Sequence, residues 1–140
     1  MYDDIVMDHI KNARNYRVLD DADRHLEGSN PMCGDEMSLY LKLDGGRIAD
    51  LAFQCTCCGI SMASASILTE KVKGASVDEA RAAARGFVDM IENAATGPEV
   101  PPEAARDVER LAVLETVRRF PARKRCAVLA WRTLAEALEG

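Results

Sequence analysis

The feature that most constrains this chain is a hairpin. From Glu36 to Leu43 the side chains alternate: Met37, Leu39, Leu41 and Leu43 fall on one face, Glu36, Ser38, Tyr40 and Lys42 on the other. That is the period-two pattern of a strand with one buried side. Asp44-Gly45-Gly46 reads as a tight turn. Arg47 to Gln54 then returns, with Ala49, Leu51 and Phe53 expected on one face. In an antiparallel pair the two outer ends are neighbours in space. Cys33-Gly34-Asp35 lies just before the first strand, and Cys55, Cys57 and Cys58 lie at and after the end of the second. The hairpin therefore brings a thiol and a carboxylate toward a cluster of thiols.

The turn leading in is Asn30-Pro31-Met32-Cys33-Gly34-Asp35. Pro31 fixes its own φ and pushes Asn30 toward an extended conformation. Gly34 permits a bend that lets Cys33 and Asp35 face one point. Thiolate is the softer donor and carboxylate the harder, and both ligate metals. Upstream, Arg24 to Gly28 is expected to be a short strand with His25 exposed on it, after a polar, turn-like stretch from Asn15 to Asp23.

The helices follow from apolar spacing and caps. Tyr2 to Ala13 carries Ile5, Val6, His9 and Ile10 as one stripe, with His9 read as a packed or surface histidine. Ile60 to Lys73 follows Cys58, which sits at the helix N-terminus, where the dipole and unpaired N–H groups favour a thiolate. Ser76 and Glu79 form a capping box for a helix burying Val77, Ala80, Ala84, Phe87 and Ile91. Gly97-Pro98 and Pro101-Pro102 interrupt the pattern. Further helices are expected over Glu103–Arg118, burying Val108, Leu111 and Leu114, and over Arg123–Leu138, with Cys126 on the inner side near its beginning.

The 140 residues suffice for one domain with a real core. A net charge of -5 without a basic stripe argues against nucleic acid as a partner. The basic residues Arg118, Arg119, Arg123, Lys124 and Arg125 read as a solvated helix end or a dock for an acidic partner. No run is apolar enough to cross a membrane and no signal-peptide pattern opens the chain, so a cytoplasmic location is expected. In that compartment five clustered cysteines, an odd number, point to metal binding or catalysis rather than disulfides.

Thiolates from separate parts of the chain plus one carboxylate match the four-ligand count of a tetrahedral zinc site. The same set could hold a small iron–sulfur cluster, and buried inert cysteines are the competing reading. A cysteine hydrolase needs a histidine base, and His9 and His25 lack recognisable local support. Phosphate-cradling and dinucleotide-binding glycine motifs are missing.

Three separated motifs resemble the SufU family, which belongs to the U-type (IscU/NifU-like) group serving iron–sulfur cluster assembly. They are Asn30 to Asp35, Phe53 through Cys58-Gly59-Ile60-Ser61-Met62-Ala63-Ser64-Ala65-Ser66, and Phe120 to Cys126 with Leu129-Ala130-Trp131. The resemblance spans almost the whole chain. It implies an α+β fold, a three-stranded antiparallel sheet packed against about five helices, as a single domain over residues 1–140. It implies the metal ligands Cys33, Asp35, Cys58 and Cys126, with zinc (Zn2+) as cofactor or, alternatively, iron or a 2Fe-2S cluster.

The resemblance also implies a role. A SufS-type cysteine desulfurase would hand persulfide sulfur to Cys33, released from zinc by ligand exchange, making the chain a sulfurtransferase-type partner rather than a stand-alone enzyme. Downstream iron–sulfur assembly proteins would follow. The alternatives are a scaffold on which a 2Fe-2S cluster is assembled and transferred, and a module whose zinc is purely structural. IscU-type scaffolds resemble one another in a histidine before the last cysteine; here that place is Arg125, and the stretch from about Asn93 to Val108 looks like the SufU insertion. Arg125 could pair with Asp35, steer an acidic partner, or be an ordinary surface charge.

One departure stands out. Where the family has Gly-x-Gly-Cys, this chain has Cys55-Thr56-Cys57-Cys58. Cys55 and Cys57 could be auxiliary metal ligands, a persulfide relay, a redox-sensitive pair, or passive replacements.

Overall fold

The computed structural model describes residues 4–30, 34–94 and 107–139. Its elements run α1 (Asp4–Lys11), β1 (Arg24–Asn30), β2 (Asp35–Asp44), β3 (Arg47–Thr56), α2 (Gly59–Val72), α3 (Val77–Ala94), α4 (Val108–Arg119), a 3-10 turn (Pro121–Arg123) and α5 (Lys124–Ala137). The strands form one antiparallel sheet in the order β1-β2-β3. Among the described residues this is the expected α+β arrangement, three strands and five helices. The SufU-like insertion and the Gly97-Pro98 and Pro101-Pro102 breaks fall largely outside the described residues, as does the start expected at Glu103.

The alternation of β2 does what period two requires. Met37, Leu39 and Leu41 are buried, while Glu36 is exposed and Ser38, Tyr40 and Lys42 are half-buried on the open face. On that face His25, exposed as expected, stacks on Tyr40 at 4.4 Å. The return strand departs from expectation at its start: Ile48 is buried and Ala49 exposed. The cause is a register shift between Lys42 and Leu43, which pairs Leu43 with Ile48 and Lys42 with Asp50. An extra residue on one strand reverses the faces beyond it.

Helices α2 and α5 lie against the buried face of the sheet, α1 rests on α2, and α3 packs on α5. Phe87 of α3 stacks on the fully buried Trp131 of α5 at 4.3 Å. The expected α2 stripe (Ile60, Ala63, Ile67, Leu68, Val72) is buried, but so are Ser61, Ser64, Ser66 and Thr69. A helix buried around most of its circumference must satisfy its hydroxyls internally. Ser64 donates to the Ala127 carbonyl and accepts from Trp131 Nε1, and Thr69 donates to the Ser66 carbonyl.

Two further differences are instructive. The stretch after α1 is not merely a turn: Arg17 donates to the Phe53 carbonyl at 3.0 Å and Phe53 to the Asn15 carbonyl at 3.1 Å, covering the outer edge of β3. Val108, expected in the core, is exposed, while Ala112, Val113, Leu114, Thr116 and Val117 are buried. Asp107 caps α4 by accepting from the Glu109 and Arg110 amides, which sets the helix phase. The capping box of α3 forms as read, Ser76 and Glu79 each accepting the other's amide.

Gly28 is where β1 meets α5. A Cβ there would overlap the Thr133 hydroxyl and lie 3.3 Å from Thr133 Cβ. Glycine lets the strand lie close against α5 at Leu129 and Thr133.

Candidate metal centre

Asp35 opens β2 directly after Gly34, whose φ of +72° is the left-handed bend that glycine accepts without strain. The carboxylate is buried. Its Oδ1 accepts the Cys58 amide at 3.0 Å and its Oδ2 accepts the Ser61 hydroxyl at 3.0 Å. Cys58 is the N-cap of α2 but makes no side-chain cap. Asp35 thus supplies from the sheet the acceptor that the helix N-terminus lacks, and the dipole there favours its negative charge.

Cys126 arrives from the far end of the chain, in the first turn of α5, and is fully buried. Asn30, paired with Asp35 across β1 and β2, points its amide at Cys126 Sγ across 3.8 Å. Ser61 also reaches the Cys126 carbonyl at 3.2 Å and accepts from the Cys58 thiol across 3.6 Å. The ligating atoms of Asp35, Cys58 and Cys126 all lie within 4.8 Å of one another.

This donor set fits zinc. Zn–S bonds of about 2.3 Å in a tetrahedron put ligand atoms somewhat under 4 Å apart. Two thiols and a carboxylate within 4.8 Å of one another need only a small contraction. Among the described residues no lysine or arginine pairs with the buried Asp35, whose oxygens accept only the Cys58 amide and the Ser61 hydroxyl. Cys33 and its neighbours Pro31 and Met32 lie outside the described residues, two positions before Asp35.

Arg125 is exposed, and among the described residues no ion pair joins it to Asp35. It lines an open cleft of about 630 Å³ with Asn30, Lys124 and Arg132. Cys55 and Cys57 are joined to each other as a disulfide, Cα–Cα 5.4 Å, beside Cys58.

Ser61 and Asn30 were not singled out as site residues from sequence. The spacing held a hint for Ser61: it lies three residues after the N-cap, in the first turn, where side chains turn back toward the helix end. His9 belongs elsewhere. It is buried between α1 and α2, with Nδ1 2.7 Å from Ser66 Oγ and Nε2 2.8 Å from Glu109. Glu70 approaches the same nitrogen at 3.6 Å, and Lys71 neutralises Glu109 at 2.9 Å.

A family model described as the NifU-like N terminal domain matches residues 1–93. A relative named zinc-dependent sulfurtransferase SufU, from Bacillus subtilis, is 38% identical over 99% of this chain and 89% of its own length. The chain belongs to this U-type family. A second member, named iron–sulfur cluster assembly scaffold protein IscU, from Thermotoga maritima, is 34% identical over 99% of this chain and 93% of its own length. Among solved structures, one described as a SUF-system scaffold protein, from Fervidobacterium islandicum, superposes with a TM-score of 0.81 at 31% identity, over 99% of this chain and 96% of that one. The U-type fold is thus the frame on which the thiol and carboxylate donors meet. No helix among the described residues is long and apolar enough to cross a membrane.

Proposed function

We propose that this U-type protein is a zinc-dependent sulfur acceptor of iron–sulfur cluster assembly, taking persulfide sulfur on Cys33 from a SufS-type cysteine desulfurase. The observation that carries the reading is the convergence of Asp35, Cys58 and Cys126 from three elements on one point. The likeness to the sulfurtransferase of Bacillus subtilis supports it. Cys33 would complete the ligand set with Asp35, Cys58 and Cys126. Zinc bound there would hold the thiols as thiolates without redox chemistry of its own.

The chain's own residues divide the work. Asp35, Cys58 and Cys126 are anchored by the sheet and two helix N-termini. Cys33 directly precedes Gly34 in the chain, two positions before Asp35. A thiolate at Cys33 would attack the terminal sulfur of the desulfurase persulfide, breaking its S–S bond and returning the desulfurase cysteine as thiolate. Arg125 and Lys124, on the neighbouring cleft, suit an acidic stretch of the partner. Sulfur would pass on to downstream iron–sulfur assembly proteins, in the cytoplasm.

The scaffold reading draws on the IscU relatives. Arg125 disfavours it, because an arginine before Cys126 cannot ligate a cluster. Two measurements decide. Protein purified without added metal should hold one zinc per chain, lost in Cys58→Ser and Cys126→Ser. Desulfurase turnover should be stimulated by the chain and not by Cys33→Ala. Full stimulation by Cys33→Ala would reject the proposal, and a zinc that affects only stability would make it structural.

A further inference from the structure

Cys55 and Cys57 have no place in the ligand set above, yet they stand beside it. Cys55 pairs with Met37 and Thr56 with Glu36 in the sheet, and Cys57 follows directly, next to the N-cap Cys58 of α2. Both are part-exposed, so a sulfur donor can reach them, and Thr56 between them points to solvent. Tyr16 clamps the backbone of Cys55, its hydroxyl donating to the carbonyl at 3.0 Å and accepting from the amide at 3.3 Å. The pair is held together as a disulfide. A bridge closing so short a loop removes little entropy from the unfolded chain. Part-exposed disulfides in a reducing compartment are the catalytic or regulatory ones.

We propose that Cys55 and Cys57 are an intrinsic two-electron reductant that converts sulfane sulfur to sulfide beside the metal centre. One thiolate attacks the terminal sulfur of a persulfide R–S–SH, forming a cysteine persulfide and releasing R–S⁻. The second thiolate attacks the inner sulfur of that persulfide, forming the Cys55–Cys57 disulfide and expelling HS⁻. The dithiol loses two electrons and the sulfane sulfur gains two, and the two sulfurs stand within bonding reach of each other. An external dithiol of the thioredoxin class resets the pair. The physiological donor rests on the sulfur-acceptor reading above, whereas the redox step needs only a persulfide.

The test uses the zinc-loaded, pre-reduced chain, freed of reductant and given one equivalent of glutathione persulfide without oxygen. About one sulfide per chain is expected, with a mass lower by two hydrogens and a disulfide mapped to Cys55 and Cys57. Cys55→Ser/Cys57→Ser should release sulfide only at the protein-free background and keep the sulfur as added mass. Cys55→Gly/Cys57→Gly, which restores the glycines of the family pattern, should do the same and guards against misfolding. Wild-type chain that keeps the sulfur, or that releases sulfide with both thiols still reduced, overturns the proposal. The acceptor reading is scored separately: it fails if the double-glycine variant gains no sulfur on Cys33 from the desulfurase. Sulfide release by the wild type in that event still supports the pair's own chemistry.

Discussion

Ser61 offers the sharpest test of how the site is held. Its hydroxyl is fully buried, 3.0 Å from Asp35 Oδ2 and 3.2 Å from the Cys126 carbonyl. Replacing it by alanine removes one small polar group, so little cavity is left. Asp35 keeps the Cys58 amide on Oδ1 but loses the partner that orients Oδ2. A hydrogen bond to a charged acceptor is worth about 1.5–3 kcal/mol, and outer partners of metal ligands typically govern about 10–100-fold in affinity. Ser61→Ala should therefore weaken zinc binding by about one to two orders of magnitude. Competition against a chromophoric chelator measures it. Ser64→Ala is the control: that hydroxyl is equally buried one turn along α2 but serves Ala127 and Trp131. It should lower the melting temperature while leaving zinc affinity within about twofold. Equal effects of the two substitutions on zinc affinity would refute the assignment of Ser61 to the centre.

Other perturbations have equally definite outcomes. Gly28→Ala sets a methyl against Thr133 and should cost about 1–3 kcal/mol in urea unfolding, partly recovered by Thr133→Ala. Trp131→Ala removes the ring stacked on Phe87 and should cost about 3–5 kcal/mol by the same measurement. Burial pushes the Glu109 carboxyl up, but hydrogen bonds from Lys71 and His9 outweigh it and hold the group below its ordinary value of 4.5. Its contribution is then complete above that value and drains away as pH falls below it. Glu109→Gln should flatten the loss of unfolding midpoint as pH falls below about 4.5, and an unchanged slope there would count against the His9–Glu109–Lys71 link.

The sequence alone determined the hairpin, the starts of α2, α3 and α5 to within a residue, and the meeting of Asp35 with the Cys58 loop. Alternation of side chains, a two-glycine turn and local caps are short-range signals that the chain carries without its fold. Ser76 with Glu79 is such a pair. The tertiary structure decided what depends on close packing between distant segments. The shift at Lys42 and Leu43 buried Ile48 in place of Ala49. Burial of α2 made its serines internal connectors to Asp35, Cys126, Ala127 and His9. Cys126 reaches the centre because Gly28 lets β1 lie against α5. Periodicity says which side of a helix is apolar, but only the assembled layers say which sulfur stands within reach of which oxygen.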